Sequence, residues 1–112
     1  MSEPKIFGVY TARFPYLDSN ETKIRPIIVM SRPIGKHGII AIVPISSKLV
    51  REDVDIAITS WNNVGLLKPS IARVHRLSTM LQVDLITSLG ELDQEAIQML
   101  QVSLKKFLNL QS

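Results

Sequence analysis

The sequence predicts a small, mainly β domain: a strongly bent barrel closed by one C-terminal helix. Two patterns support this fold class. Short apolar runs alternate with turn residues through position 90, and apolar residues recur at helical spacing after it. Hydrophobic residues make up 46% of the 112 positions and charged residues 21%, which is typical of a chain that folds around a core. At this length we expect one domain that spans residues 1–112.

Six segments of continuous or alternating apolar character predict the strands. They are residues 5–14, 26–31, 39–45, 54–58, 70–77 and 85–87. One face of the fifth segment would consist of Ile71, Arg73, His75 and Leu77. The polar loop at residues 16–24 is long for a hairpin, and we expect it to reach a ligand.

The C-terminal segment predicts a helix over about residues 93–109. Asp93 is a favourable N-cap residue, and Leu92 before it can pack against Ile97 in the first turn. The apolar face of this helix would consist of Ile97, Leu100, Leu104, Phe107 and Leu108.

Composition excludes several classes of site. The chain contains no cysteine, which rules out disulfides, thiolate metal sites and a cysteine nucleophile, and we expect a cytoplasmic location. The two histidines, His37 and His75, do not have the spacing of metal ligands, so we expect neither a metal nor another cofactor. The first residues do not resemble a signal peptide. No apolar run approaches the roughly 20 residues of a membrane span, so we expect no membrane association.

Basic residues are concentrated before position 81. Residues 1–80 contain 11 Lys and Arg side chains against 6 Asp and Glu, whereas the remaining residues contain 2 against 4. This asymmetry is compatible with a polyanionic partner such as nucleic acid, and equally with an ordinary protein surface.

The segment Lys23–Ser31 joins a cation to a predicted buried strand. Pro26 fixes its own φ and disfavours a helical conformation for Arg25, which would therefore lie extended where the polar loop becomes a strand. The guanidinium could reach out of the sheet there, and its fork of donors matches the oxygens of a phosphate group. A surface arginine ahead of a core strand would show the same local pattern.

Five short segments occur in a characteristic order. They are Val9–Pro15, Lys23–Ser31, Val43–Ser46, Gly65–Ser70 and Leu89–Leu92. In this order and spacing they resemble the MazF/PemK family of toxins, which are small endoribonucleases of toxin–antitoxin systems, and the resemblance covers nearly the whole chain. It implies an SH3-like β-barrel with a C-terminal helix, usually assembled as a homodimer.

The resemblance also implies metal-independent cleavage of single-stranded RNA by attack of the ribose 2′-hydroxyl. The family's arginine before the proline corresponds to Arg25. Its hydroxyl residue after the third strand corresponds to Ser46, with Ser47 as the neighbouring alternative. A guanidinium and a hydroxyl suit this chemistry because both donate hydrogen bonds to the developing phosphorane. We expect Arg25 to stabilise the transition state first and to transfer protons only second, because a guanidinium stays protonated at neutral pH.

The chain departs from the family pattern at two places. Phe7–Gly8 stands where the family commonly has a Gly-Asp pair, which removes an acidic contact. Ser46 stands where threonine is most frequent; serine keeps the donor but lacks the methyl group that restricts the rotamer.

Other side chains are candidates for contacts with RNA. An imidazole suits acid–base catalysis near neutral pH, which makes His75 a candidate for catalysis or substrate contact, although a lone strand histidine is more often a packed residue. The candidates for binding the RNA backbone are Arg13, Lys23, Arg32, Lys36, His37, Lys48, Arg73 and Arg76.

Two other functions fit the same residues. A catalytically silent barrel could act as a binding module, either with an antitoxin on operator DNA or on a protein target such as gyrase, the target of the related CcdB toxins. The third alternative is an RNA-binding barrel outside any toxin system. For a toxin the resemblance implies four partners: single-stranded RNA, a cognate antitoxin, operator DNA only in complex with that antitoxin, and a second copy of the chain.

Overall fold

A computed structural model of the chain describes residues 3–15, 22–49 and 52–110. The bounds of its elements are Gly8–Pro15 (β1), Thr22–Val29 (β2), Ile39–Ser46 (β3), Ile56–Ile58 (β4), Ser70–Ala72 (β5), Ser78–Leu81 (β6), Leu85–Glu91 (β7) and Gln94–Leu108 (α1). The predicted loop at 16–24 lies outside the described residues as far as position 21. No helix within the described ranges is long and apolar enough to cross a membrane.

Three strands pair with β3, which makes it the centre of the sheet. One edge of β3 pairs with β2 over residues 42–44. The other edge is shared, because residues 39–42 pair with β6 and residues 45–46 pair with β5. All pairs are antiparallel, and the longest path through the sheet is β4-β5-β3-β2-β1-β7. Because β5 and β6 diverge from one edge of β3, the sheet bends into a half-barrel. The predicted fold class is therefore confirmed.

Two buried clusters lie on the two faces of the central strands. The first contains Ile28 and Val43 from the sheet and Leu100 from α1. The strand neighbours Ile27 and Ile42 point to the opposite face and belong to the second cluster. Burial on both faces explains why β2 and β3 read as continuous apolar runs rather than alternating ones.

Helix α1 begins and ends close to the residues that the sequence predicts. The Oδ1 atom of Asp93 accepts a hydrogen bond from the N–H of Ala96 at 2.8 Å, as an N-cap requires, and Asn109 ends the helix in a left-handed conformation. The predicted apolar face is wrong at its far end. Phe107 and Leu108 are 40% and 43% exposed, because the core that Leu100 reaches does not extend to the last turn.

Strand β2 begins four residues earlier than predicted. Its pairing with β1 extends from Val9 opposite Ile28 to Pro15 opposite Thr22, so the neighbouring strand supplies partners to residues that are polar in sequence. Arg25 therefore lies inside β2, opposite Ala12, and not at its beginning.

The predicted strand over residues 70–77 is wrong beyond Ala72. Residues 74–76 form a 3₁₀ turn, in which the N–H of Leu77 donates to the carbonyl of Val74 at 3.1 Å. Burial of Val74 in the first cluster holds the turn against the core. After this turn the chain enters β6, which the sequence did not indicate, and β7 continues past the predicted end at Thr87 to Glu91.

Candidate functional site

A cleft of about 660 Å³ opens where β2 and β3 separate. Its walls come from the ends of these strands, from residues 65–68 and the first residue of β5, and from the turn between β5 and β6. The described residues that line it are Thr11, Lys23, Arg25, Pro26, Pro44, Ile45, Ser46, Ser47, Lys48, Gly65, Leu66, Leu67, Lys68, Ser70, Arg73, Arg76, Ser78 and Leu89.

Two prolines end the β2–β3 ladder at the cleft. The last described pair on this side is Ile27 opposite Pro44, and Pro26 is the next residue of β2. Because proline has no N–H to donate, neither Pro26 nor Pro44 can extend the ladder. Beyond this point β3 pairs with β5 through Ile45 and Ser46. Strands β2 and β3 therefore separate at the cleft.

Arg25 and Ser46 both lie just beyond the last pair of the β2–β3 ladder. Each lies two residues from that pair, Arg25 toward the start of β2 and Ser46 toward the end of β3. There Arg25 pairs with Ala12 of β1, and Ser46 pairs with Ile71 of β5. Both residues line the cleft. Arg25 is partly buried and its Nε atom is enclosed by protein, which restricts the orientations open to its guanidinium.

The backbone orients the hydroxyl of Ser46. Its Oγ atom accepts a hydrogen bond from the N–H of Lys48 at 3.1 Å. An accepting hydroxyl keeps its proton for donation, so Ser46 can donate to a group bound in the cleft. Ser47 also lines the cleft and is exposed.

Three further hydroxyls line the cleft, and sequence reasoning missed them. Ser70 donates to the carbonyl of Lys68 at 2.9 Å and Ser78 to the carbonyl of Arg76 at 3.1 Å, so both stabilise turns. Thr11 accepts from a β7 backbone N–H at 3.1 Å and, like Ser46, keeps its proton for donation.

Six cationic side chains line the cleft, and none of its described lining residues is acidic. The cations are Lys23, Arg25, Lys48, Lys68, Arg73 and Arg76. Like charges in a concave site attract anions over a distance, so this lining suits a chain of phosphates. Sequence reasoning missed Lys68, although Lys68–Pro69 repeats the arrangement of a cation before a proline seen in Arg25–Pro26.

Some predicted contact residues do not line the cleft. Arg32, Lys36 and His37 lie in the connection between β2 and β3, at the opposite end of β3 from Ser46. Arg13 is exposed on β1. These four residues could meet only a part of an RNA strand that extends beyond the cleft.

His75 lies behind the cleft wall, bound to a buried carboxylate. Its Nδ1 atom donates to Oδ1 of Asp55 at 2.8 Å, and the Asp55 side chain is 0% exposed. The other carboxylate oxygen, Oδ2, accepts from the N–H of Glu52 at 3.1 Å and lies 3.5 Å from Nη1 of Arg73. The Asp55 carboxylate therefore connects His75, outside the cleft, to Arg73 within it.

Asp55 is charged despite its burial. Burial raises the pKa of its carboxyl, but hydrogen bonds from His75 and from the N–H of Glu52 outweigh this effect and hold the pKa below the usual 3.8. Sequence reasoning did not single out Asp55. The available signal was one aspartate inside the apolar run Val54–Ile58, because acids are rarely buried unless they are paired. Among the described residues, no three His, Asp or Glu side chains are grouped to hold a metal ion.

Solved structures that share this fold include three mycobacterial proteins. The Mycobacterium tuberculosis toxin MazF-mt6 is 18% identical and has a TM-score of 0.75, over 94% of this chain and 99% of its own. An endoribonuclease in complex with its cognate antitoxin, from a mycobacterial species, is 16% identical with a TM-score of 0.74, over 97% and 98% of the two chains. Another mycobacterial endoribonuclease is 15% identical with a TM-score of 0.75, over 100% and 97%.

Sequence comparison gives the family. Comparison with curated proteins finds no match. The family model described as PemK-like, MazF-like toxin of type II toxin–antitoxin system matches residues 5–108, which is nearly the whole chain. The chain therefore belongs to the PemK-like, MazF-like toxins of type II toxin–antitoxin systems.

Proposed function

We propose that the protein is an endoribonuclease toxin that cleaves single-stranded mRNA at preferred sequences within the cleft. One observation carries the proposal: Arg25 and Ser46 line the same cleft, together with five further cationic side chains. The phosphates of RNA supply the complementary charge, and the exposed Leu67 adds an apolar surface against which bases can pack.

In the proposed reaction the ribose 2′-oxygen attacks the adjacent phosphorus, and the bond from phosphorus to the 5′-oxygen breaks. The 2′-hydroxyl loses its proton to water in the open cleft, and the departing 5′-oxygen gains a proton from water. The products are a 2′,3′-cyclic phosphate and a 5′-hydroxyl, and nothing is oxidised or reduced.

Arg25 has the role of stabilising the phosphorane. Its guanidinium donates two parallel hydrogen bonds to phosphoryl oxygens and remains protonated throughout. Ser46 donates a third hydrogen bond from its oriented hydroxyl. Because positive side chains neutralise the developing charge in this scheme, we expect cleavage to proceed in excess EDTA.

The experiment is incubation of a long unstructured RNA with the protein in excess EDTA, followed by analysis of the new ends. The expected ends are a 2′,3′-cyclic or 3′-phosphate and a 5′-hydroxyl. A matched RNA with a 2′-deoxyribose at the cut position should stay intact, because it lacks the attacking oxygen. An uncut RNA pool would contradict the proposal, and cutting of the deoxy substrate at the same bond would contradict the mechanism.

We propose in addition a cognate antitoxin that covers the cleft, and a homodimer that acts in the cytoplasm. The cations of the cleft and the 94% exposed Leu67 beside them favour an acidic partner segment with apolar side chains. On α1, Val102 is 68% exposed, an apolar surface that a second copy could bury. A strictly monomeric mass in light scattering at micromolar concentration would contradict the dimer.

A further inference from the structure

In the turn after Ser46, both backbone groups of Lys48 make hydrogen bonds to side chains. The N–H of Lys48 donates to Oγ of Ser46 at 3.1 Å, and the carbonyl of Lys48 accepts from Nη2 of Arg73 at 3.4 Å. Because one residue makes both contacts, a shift of the Lys48 backbone would also shift the Ser46 hydroxyl.

Arg73 also contacts the buried carboxylate of Asp55. Its Nη1 atom lies 3.5 Å from Oδ2 of Asp55, and its side chain is only 14% exposed. The two terminal nitrogens of the guanidinium thus contact different partners, which fixes the plane of the group in a way that a lysine ammonium could not reproduce. The contacts tie together the segment after β3, the segment before β4 and the residue that follows β5.

Both oxygens of the Asp55 carboxylate have partners. His75 binds Oδ1, while the N–H of Glu52 and the guanidinium of Arg73 approach Oδ2. A buried carboxylate depends on such partners for its charge, so Asp55 and Arg73 stabilise each other's position.

From this series of contacts we infer that Asp55 is a positioning residue for RNA cleavage: through Arg73 it braces the Lys48 backbone and so sets the Ser46 hydroxyl in the cleft. His75 contributes by occupying Oδ1, which leaves Oδ2 facing Arg73. Asp55 does not touch the RNA in this account. The inference rests on the proposed ribonuclease function, but the brace can be measured without RNA.

The first test is amide hydrogen exchange at Lys48 in the free protein, measured by NMR. We compare wild type with Asp55→Asn and with Arg73→Lys, which keeps the charge but loses the two-sided contact. The control is Arg76→Ala, which removes a cation from the same cleft without touching the brace. Exchange at Lys48 should be faster by about tenfold or more in the first two variants and unchanged in the control.

The second test is single-turnover cleavage at a series of RNA concentrations. Asp55→Asn should lower the maximal rate by about tenfold to a hundredfold, because a misplaced hydroxyl costs rate. The RNA concentration that gives half of that rate should change by less than about threefold. Arg76→Ala should mainly raise the RNA concentration that gives half of the maximal rate, because it weakens binding, and should change the maximal rate less. The double variant Asp55→Asn with Arg73→Lys should be no slower than the slower single variant, because both changes break the same brace.

The two proposals fail in different ways. Unchanged exchange at Lys48 in both Asp55→Asn and Arg73→Lys, or additive losses of rate, would overturn the positioning role even if wild type cuts RNA. If Asp55→Asn does not fold, Arg73→Lys decides by the same exchange measurement. If wild type cuts no RNA, the proposed function fails and faster exchange would show only a structural brace, which also overturns the role in cleavage.

Discussion

Ser46 and Ser47 are neighbours in the cleft, but the structure orients the Ser46 hydroxyl through the N–H of Lys48. We expect Ser46→Ala to slow RNA cleavage by about a hundredfold, because a lost donor to a developing oxyanion costs that order of rate. Ser46→Thr should retain most of the rate, since it keeps the donor, and Ser47→Ala should cost less than about tenfold. Single-turnover rates of the three variants check this assignment. A larger loss in Ser47→Ala than in Ser46→Ala would reverse it.

The buried carboxylate of Asp55 makes stability depend on acid pH. Its pKa lies below 3.8 in the folded protein, so its stabilising contribution is fully present above that value and is lost as the pH falls through the folded pKa. Asp55→Asn should therefore lower the free energy of unfolding by about 1–3 kcal/mol at pH 7. The difference from wild type should shrink below pH 3.8.

Urea unfolding at several pH values measures this difference. The control is Asp53→Asn, which alters a carboxylate that is 76% exposed and pairs with Lys106 at the surface. It should change stability by less than about 1 kcal/mol. A difference between Asp55→Asn and wild type that stays constant down to pH 2 would contradict the assigned charge of Asp55.

At the scale of elements, one cleft wall depends on the turn at Gly65. Gly65 has a φ of +74°, and a Cβ atom there would lie 3.0 Å from Cβ of Leu89 and 3.1 Å from its carbonyl oxygen. Gly35 provides a matched control, because its φ is +78° but nothing lies within 4 Å of the added atom.

Alanine at these two glycines separates backbone strain from crowding. Gly35→Ala should lower the free energy of unfolding by about 1 kcal/mol, the cost of a left-handed residue. Gly65→Ala should lower it by about 2–3 kcal/mol and should also weaken RNA binding, because Gly65 and Leu89 both line the cleft. Thermal or urea unfolding checks the pair, and equal losses in the two variants would contradict the crowding.

The elements differ in how far the sequence predicted them, and the difference has a physical reason. Helix α1 was predicted to within a residue or two because its N-cap, Asp93, is a local signal. The extension of β2 to Thr22 and the existence of β6 depend on pairing with distant strands, which leaves little trace in local composition. The turn at residues 74–76 depends on burial of Val74 in the first cluster, another non-local cause.

In the candidate site, too, residues with a signal in the sequence were predicted and residues that depend on distant contacts were not. The resemblance in order and spacing singled out Arg25 and Ser46, which local patterns could not, and both residues line the cleft. Asp55 was not singled out, because its proposed positioning role depends on contacts with residues up to 20 positions away in the chain. A polar residue inside an apolar run indicates a buried partner, but the sequence does not say which one.

At the scale of the whole molecule, the cationic cleft should make RNA binding strongly dependent on salt. The logarithm of the association constant for a non-cleavable single-stranded RNA should fall linearly with the logarithm of salt concentration, by about 0.7 for each phosphate neutralised. Lys68→Ala should reduce this slope by about 0.7. Lys105→Ala, an exposed helix residue outside the cleft, should not change it. Equal slopes for wild type and Lys68→Ala would place the RNA elsewhere.

In the proposed reaction Arg25 is the residue on which RNA cleavage depends most. The most direct test of this role compares wild type, Arg25→Ala and Lys105→Ala on one unstructured RNA in excess EDTA, because both variants lose one positive charge and only Arg25 lines the cleft. We expect wild type and Lys105→Ala to cleave the RNA and Arg25→Ala to be slower by about a hundredfold or more. Cleavage by Arg25→Ala at the wild-type rate would contradict this role.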